Sequence, residues 1–366
     1  MLNYSVAELR IIKKFVDSNL SNQNIGNRNF GLDLLRIFAC FLVILYHVPQ
    51  YIQGGMEFHD IISRILNSSF FYLGRCAVPM FFIMSGYFIL PLKTDTKSFF
   101  SKRITRILIP TLLWFLFYQF LGTTYDNPVH SFWINKTPHF WYLYALLGIY
   151  LTAPIVTPWY REASIKIKCF YLILWFMTLL FVINNDTLFV SYSHQGMLYY
   201  TPFHALFVFS GYFGYFFLGA ILRDIYSILQ KYIIKIIIVG CLMYVLAILL
   251  IKYLFLTSDS NVIAYCSIPT AILSVVIFLL FLKTGQMISI FLNKTGKKNR
   301  LAAGIIIDMS NATFSMYLMH VYVLENIYIV SLGGYSRMLI AFIVFVITFF
   351  VYKILSHIPY SKYILG

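Results

Sequence analysis

Apolar stretches of about 20 residues recur along the chain, separated by short polar segments. A helix of that length matches the hydrocarbon thickness of a bilayer and satisfies its own backbone there, so the pattern predicts a polytopic helical membrane protein. Ten spans are expected, at roughly 31–51, 69–90, 103–122, 139–158, 168–185, 201–222, 233–256, 262–283, 301–330 and 335–356. The ninth is long, and its first turns are expected outside the lipid. Ten crossings return both termini to one side. The predicted fold class is all-α, with about ten transmembrane helices.

Three segments follow: an N-terminal extension at 1–30, a transmembrane domain at 31–356 and a tail at 357–366. Within the extension, Ser5 and Glu8 have capping-box spacing. Leu9, Ile12, Val16 and Leu20 share a helical face, with Lys13 and Lys14 off it. The segment reads as an interfacial helix over 4–20 or as a disordered tail. It lacks the apolar run and small-residue cleavage site of a leader peptide, so the first span is expected to be retained as an anchor. No internal repeat is visible, and no loop has room for a soluble domain.

Composition supports the membrane reading: 60% of the 366 residues are hydrophobic and 11% are charged, a balance no soluble fold tolerates. The net charge of +15 would suggest nucleic acid in a soluble protein. Here 22 of the 28 Lys and Arg fall in the loops of one side or at the span ends that adjoin them. That asymmetry sets orientation, with the basic side and both termini cytoplasmic. Nucleic acid is not an expected partner, since no basic groove is separable from the spans. Cys40, Cys76, Cys169, Cys241 and Cys266 are scattered through or beside apolar stretches and read as small hydrophobes, not a disulfide framework or a metal site. His59, His130 and His194 fall in predicted outer loops, and His139 and His204 at the outer ends of spans.

Candidate chemistry begins at "GLDLLRIFACFLVILYHV", residues 31–48. At about 100° per residue, Asp33, Arg36, Cys40 and His47 fall within an arc of about 60°. Ionisable groups at such depth face a bundle interior or a wet cavity and mark function by default. Asp33 and Arg36 can pair at i, i+3. Arg36 also reads as a snorkelling orientation charge, and His47 as a hydrogen-bonded core histidine. A second seam, Ser310, Thr313, Tyr317 and His320, lies within about 80° on the ninth span. Its alternative role is interhelical hydrogen bonding. Arg75 falls at roughly the depth of His47 and needs a partner or an anion there. Pro79 and the Ser85–Gly86 pair are candidates for a kink that frees backbone groups. Arg103 and Arg106 share a face at the inner end of the third span, suited either to forking onto phosphates or to setting orientation.

The Arg36–His47 pair with "VPMFFIMSGYF", "KRITRILIP", "HFWYLYALLGIYLTAPI" and "SMYLMHVYV", in this order, resembles the acyltransferase-3 family over roughly residues 30–355. That resemblance implies a multi-pass protein of the bacterial inner membrane. The implied activity is O-acylation of a surface glycan, such as an exopolysaccharide, enterobacterial common antigen or a lipopolysaccharide sugar. It further implies His47 as the catalytic base and Arg36, Arg103 and Arg106 as contacts to acyl-coenzyme A, expected to be acetyl-coenzyme A. The compact type without a soluble SGNH domain is expected, and the polar extension departs from the family pattern. Arg75, or backbone freed near Pro79, would meet the oxyanion, and an acetyl-His intermediate is an alternative to direct transfer. The expectation for the site is that His47, Arg75 and His320 share one cavity. Tyr317 would lie one turn inward, with an outer mouth near His139 and Trp141 and a passage toward Arg36. No metal is expected. A glycan or acyl-carrier flippase is the competing class, since buried Arg and His also line translocation paths.

Overall fold

A computed structural model describes residues 28–48, 61–121, 137–179, 190–192, 198–200, 211–255, 265–295, 297–327 and 336–366. The amphipathic segment 4–20 and the histidines at 59, 130, 194 and 204 lie outside the described residues. Eight helices among the described residues are long and apolar enough to cross a membrane.

The first helix, α1, runs Phe30–His47 and is started by Asn29, whose side chain accepts from the Gly31 and Leu32 N–H groups. Helix α2, Ile61–Ile89, continues unbroken through Pro79 and Gly86, so the freed backbone expected at the Ser85–Gly86 pair is not formed. The Gly86 carbonyl accepts from Leu90 N–H. Helix α3, Thr96–Arg103, is capped by Asp95, which accepts from Ser98 N–H at 2.9 Å and from the Ser98 hydroxyl at 2.7 Å. The main-chain bond, then the hydroxyl, holds the Asp95 carboxyl below the usual carboxylate range. A π-helical turn, Ile104–Leu108, joins α3 to α4, Ile109–Leu121. A short 3₁₀ turn, Pro138–Phe140, leads into α5, Trp141–Glu162.

Helices α6, Ile165–Thr178, and α7, Phe213–Leu229, correspond to the fifth and sixth expected spans. Those spans extend into 180–189 and 201–210, outside the described residues. Between them two three-residue strands, β1, Val190–Tyr192, and β2, Leu198–Tyr200, pair antiparallel in an otherwise helical fold. Helices α8, Ile233–Phe255, α9, Ile268–Thr295, α10, Lys297–Asn326, and α11, Ser336–Leu355, follow. A last turn, α12, covers Lys362–Leu365.

Helix α1 is the axis of the bundle, packed against α2, α9, α10 and α11. Of its apolar window 61% is buried within the protein, against 6% for residues 233–250 of α8. A helix apolar on every side but enclosed by others is core, whereas α8 presents its apolar surface outward. Close crossings use glycine. A Cβ on Gly86 would meet the Phe216 carbonyl oxygen at 1.7 Å, and one on Gly219 the Ile83 oxygen at 1.9 Å, so α2 and α7 touch backbone to backbone. Gly31 and Gly285 join α1 to α9 in the same way.

Candidate functional site

The two polar seams face each other. Ser310 Oγ donates to Asp33 Oδ1 at 2.7 Å, and Arg36 Nη1 donates to Ser310 Oγ at 3.3 Å. Cys40 Sγ lies 3.6 Å from the Thr313 carbonyl oxygen, and His47 meets His320. Contacts advance in the same direction along both helices, so α1 and α10 run parallel. Polar groups that would each be costly in lipid satisfy one another across this line.

At the basic end of the seam Asp33 is 5% exposed and takes a two-pronged bond from Arg28, Nε to Oδ2 at 2.7 Å and Nη2 to Oδ1 at 3.0 Å. Arg36 lies 4.0 Å from the same carboxylate. Two guanidinium groups therefore share one carboxylate, which leaves positive charge in excess. Arg36, Arg103 and Arg106 line one cavity of about 560 Å³, together with Ser310, Tyr142, Tyr150 and Tyr317. The π-helical turn shifts the register between Arg103 and α4. Arg103 stacks its guanidinium on Phe99 and Tyr150, and its buried Nε has no partner among the described residues. A smaller hollow of about 200 Å³ adjoins it, lined by Lys93, Lys102 and Phe88 as well as Arg103 and Arg106. An orphaned guanidinium donor in a cationic cavity suits an anionic ligand.

At the other end of the seam His47 Nδ1 stands 3.2 Å from Nε2 of His320 and 2.9 Å from the Val43 carbonyl oxygen. His320 is fully buried, and its Nδ1 faces the Tyr317 carbonyl oxygen. A carbonyl only accepts, so both Nδ1 atoms carry hydrogen. His320 Nε2 is then a lone pair that shares the His47 Nδ1–H with Val43. The remaining lone pair of His47 is at Nε2, the arrangement a general base requires.

His139 is 2% exposed, not at a mouth, and both its ring nitrogens are buried without a partner among the described residues. Its ring lies edgewise, 5.3 Å between centroids, against His320. The Tyr317 hydroxyl donates to the His139 carbonyl, so Tyr317 both lines the arginine cavity and braces the histidines. Trp141 packs with Tyr212 and Tyr265. Arg75 does not touch His47: its guanidinium sits over the rings of Tyr46, Phe71 and Tyr265, and Tyr46 also meets the His47 ring edge-on. The three expected catalytic residues thus form a pair plus a neighbour behind one ring, and none of them lines the 560 Å³ cavity.

Two structural supports are not legible in the pattern. Arg337 reads as a charge at the outer end of the tenth span, yet it is 2% exposed and its Nε donates to the Leu45 carbonyl at 2.8 Å, holding the last turn of α1. Tyr118 reads as an apolar span residue, yet its hydroxyl donates to the Leu318 carbonyl and accepts from Tyr322 N–H, clasping α10 around His320. Both bind backbone, which leaves no spacing signature.

A family model described as an acyltransferase domain matches residues 29–357. No curated protein and no solved structure matches the chain.

Proposed function

Because the chain belongs to this acyltransferase family and is a multi-pass membrane protein, we propose that it moves an acetyl group from acetyl-coenzyme A to a sugar hydroxyl. The acceptor is a surface polysaccharide or a lipid-linked sugar, and the membrane is the bacterial inner membrane. The observation that carries the reading is the parallel seam, which bears an arginine-lined cavity at one end and an imidazole pair at the other. Arg36 and His47 are eleven residues apart on one helix, about 16 Å, within reach of a pantetheine arm.

In this reading the donor's phosphates lie against Arg36, Arg103 and Arg106, whose forks suit phosphate oxygens. The thioester passes Tyr317 toward the histidines. His47 Nε2 takes the proton of the sugar hydroxyl as its oxygen attacks the thioester carbonyl carbon. Positive charge that develops on His47 is met at Nδ1–H by His320 Nε2 and the Val43 carbonyl. The carbon–sulfur bond then breaks, and the thiolate recovers the proton from His47, leaving an ester and free coenzyme A. Arg75 lies behind the Tyr46 ring, one residue removed from His47.

The test separates binding from chemistry. His47→Ala should retain coenzyme A binding in calorimetry and lose acyl transfer by about 10²–10⁴-fold. Turnover close to that of the parent protein would return His47 to a packing role.

A further inference from the structure

The family match stops at residue 357, but the wall of the arginine cavity continues beyond it. Past α11 the chain turns back at Tyr360, which has φ 63° and is the only non-glycine residue at positive φ among the described residues. A bulky side chain seldom adopts that left-handed conformation unless its surroundings impose it. The turn brings α12 against α4 and α10. Ser315 Oγ, fully buried on α10, donates to the Leu365 carbonyl at 2.6 Å. Trp114 Nε1 on α4 donates to the Ile364 carbonyl at 3.0 Å. Leu365 is 4% exposed, and Gly366 lines the cavity itself. Gly366 has φ +90°, and a Cβ there would come within 2.6 Å of both the Arg106 carbonyl and the Phe314 ring.

We propose that the docking of residues 358–366 holds Gly366 in the wall of the arginine cavity, and that this docking sets how tightly the cavity holds an anionic ligand. The segment touches two of the elements that line the cavity, the π-helical turn that carries Arg106 and the seam helix α10. With it removed, water reaches Arg36, Arg103 and Arg106 from a further side, and their attraction for an anion falls as the local dielectric rises. Ser315 and Trp114 lose their acceptors at the same time. The identity of the ligand rests on the donor reading above; the wall does not.

Detergent-purified full-length protein carrying Cys241→Ser, which removes the exposed native thiol, and Tyr352→Cys, on the cavity lining, reports on the wall by its rate of labelling with a charged thiol reagent. Tyr360→Pro fixes φ near −65° and forbids the turn, whereas Tyr360→Gly permits it. Labelling should be several-fold faster with Tyr360→Pro or Ser315→Ala and unchanged with Tyr360→Gly. Coenzyme A binding, measured without Tyr352→Cys, should weaken roughly tenfold in the first two variants and not in the third. Ser315→Ala keeps the test alive if Tyr360→Pro fails to fold. Unchanged labelling overturns the wall. Faster labelling with unchanged coenzyme A affinity overturns its role in binding. A parent protein that binds no coenzyme A defeats the donor reading, while the labelling result still decides the wall.

Discussion

His47 keeps a base's lone pair at Nε2 only while Nδ1 stays protonated, and His320 with Val43 supplies the acceptors that hold it so. The side chain at 320 can therefore be graded. His320→Gln retains an acceptor oxygen near the place of Nε2, whereas His320→Leu has none. We expect His320→Leu to lower kcat by about 10²-fold or more and His320→Gln to lose clearly less. Equal losses in both would reduce His320 to packing. Among the arginines, Arg103→Ala should weaken coenzyme A binding, with Arg103→Lys a partial rescue because lysine lacks the fork. The exposed Lys231 is the appropriate comparison. Arg161 is not, since its guanidinium holds the Leu92 carbonyl. If Lys231→Ala weakens binding as much as Arg103→Ala, the effect is one of overall charge.

Helices meet here by backbone contact at glycine, and the contact is local enough to predict. Gly86→Ala and Gly219→Ala each push a methyl group into a carbonyl of the facing helix. Each should destabilise the purified protein by about 1–3 kcal/mol in thermal unfolding. A methyl group on Gly148 would meet nothing within 4 Å, so Gly148→Ala should be neutral or stabilising by up to about 1 kcal/mol. A loss at Gly148→Ala as large as at the other two would mean that the α2–α7 crossing does not govern the response, since helix propensity alone favours alanine at all three. The glycine of "SGY" thus has a packing reason for its place, where the sequence alone suggested a kink.

For the whole molecule, the parallel run of α1 and α10 requires an odd number of crossings between them, which ten spans satisfy. Reporter fusions after residues 125 and 190 should both read as outer. A cytoplasmic signal from either would put the His47 end on the wrong face for an external acceptor and break the two-sided reading. The extended docking of residues 358–366 adds a feature at this scale, because segments far apart in the chain close a single cavity.

Period and charge alone determined the helical membrane class, the approximate span positions and the two polar stripes, because each is a local property. Polar groups recurring on one face of an apolar helix must be matched by something, whatever the fold. Arg36 and His47, and Ser310 and His320, were legible for that reason. That His47 and His320 meet was an expectation from their depth; the residue-by-residue alignment of the two stripes was not legible, since helix contacts in lipid depend on small residues and shape rather than on a further hydrophobic code. The tertiary structure set α1 parallel to α10, drew His139 into the core beside His320 and set Arg75 behind Tyr46. It also turned Arg337, at the outer end of the tenth span, into a buried clamp on the last turn of α1. The placements of His139, Arg75 and Arg337 rest on bonds to backbone carbonyls and on ring contacts, and neither leaves a residue-type pattern along the chain.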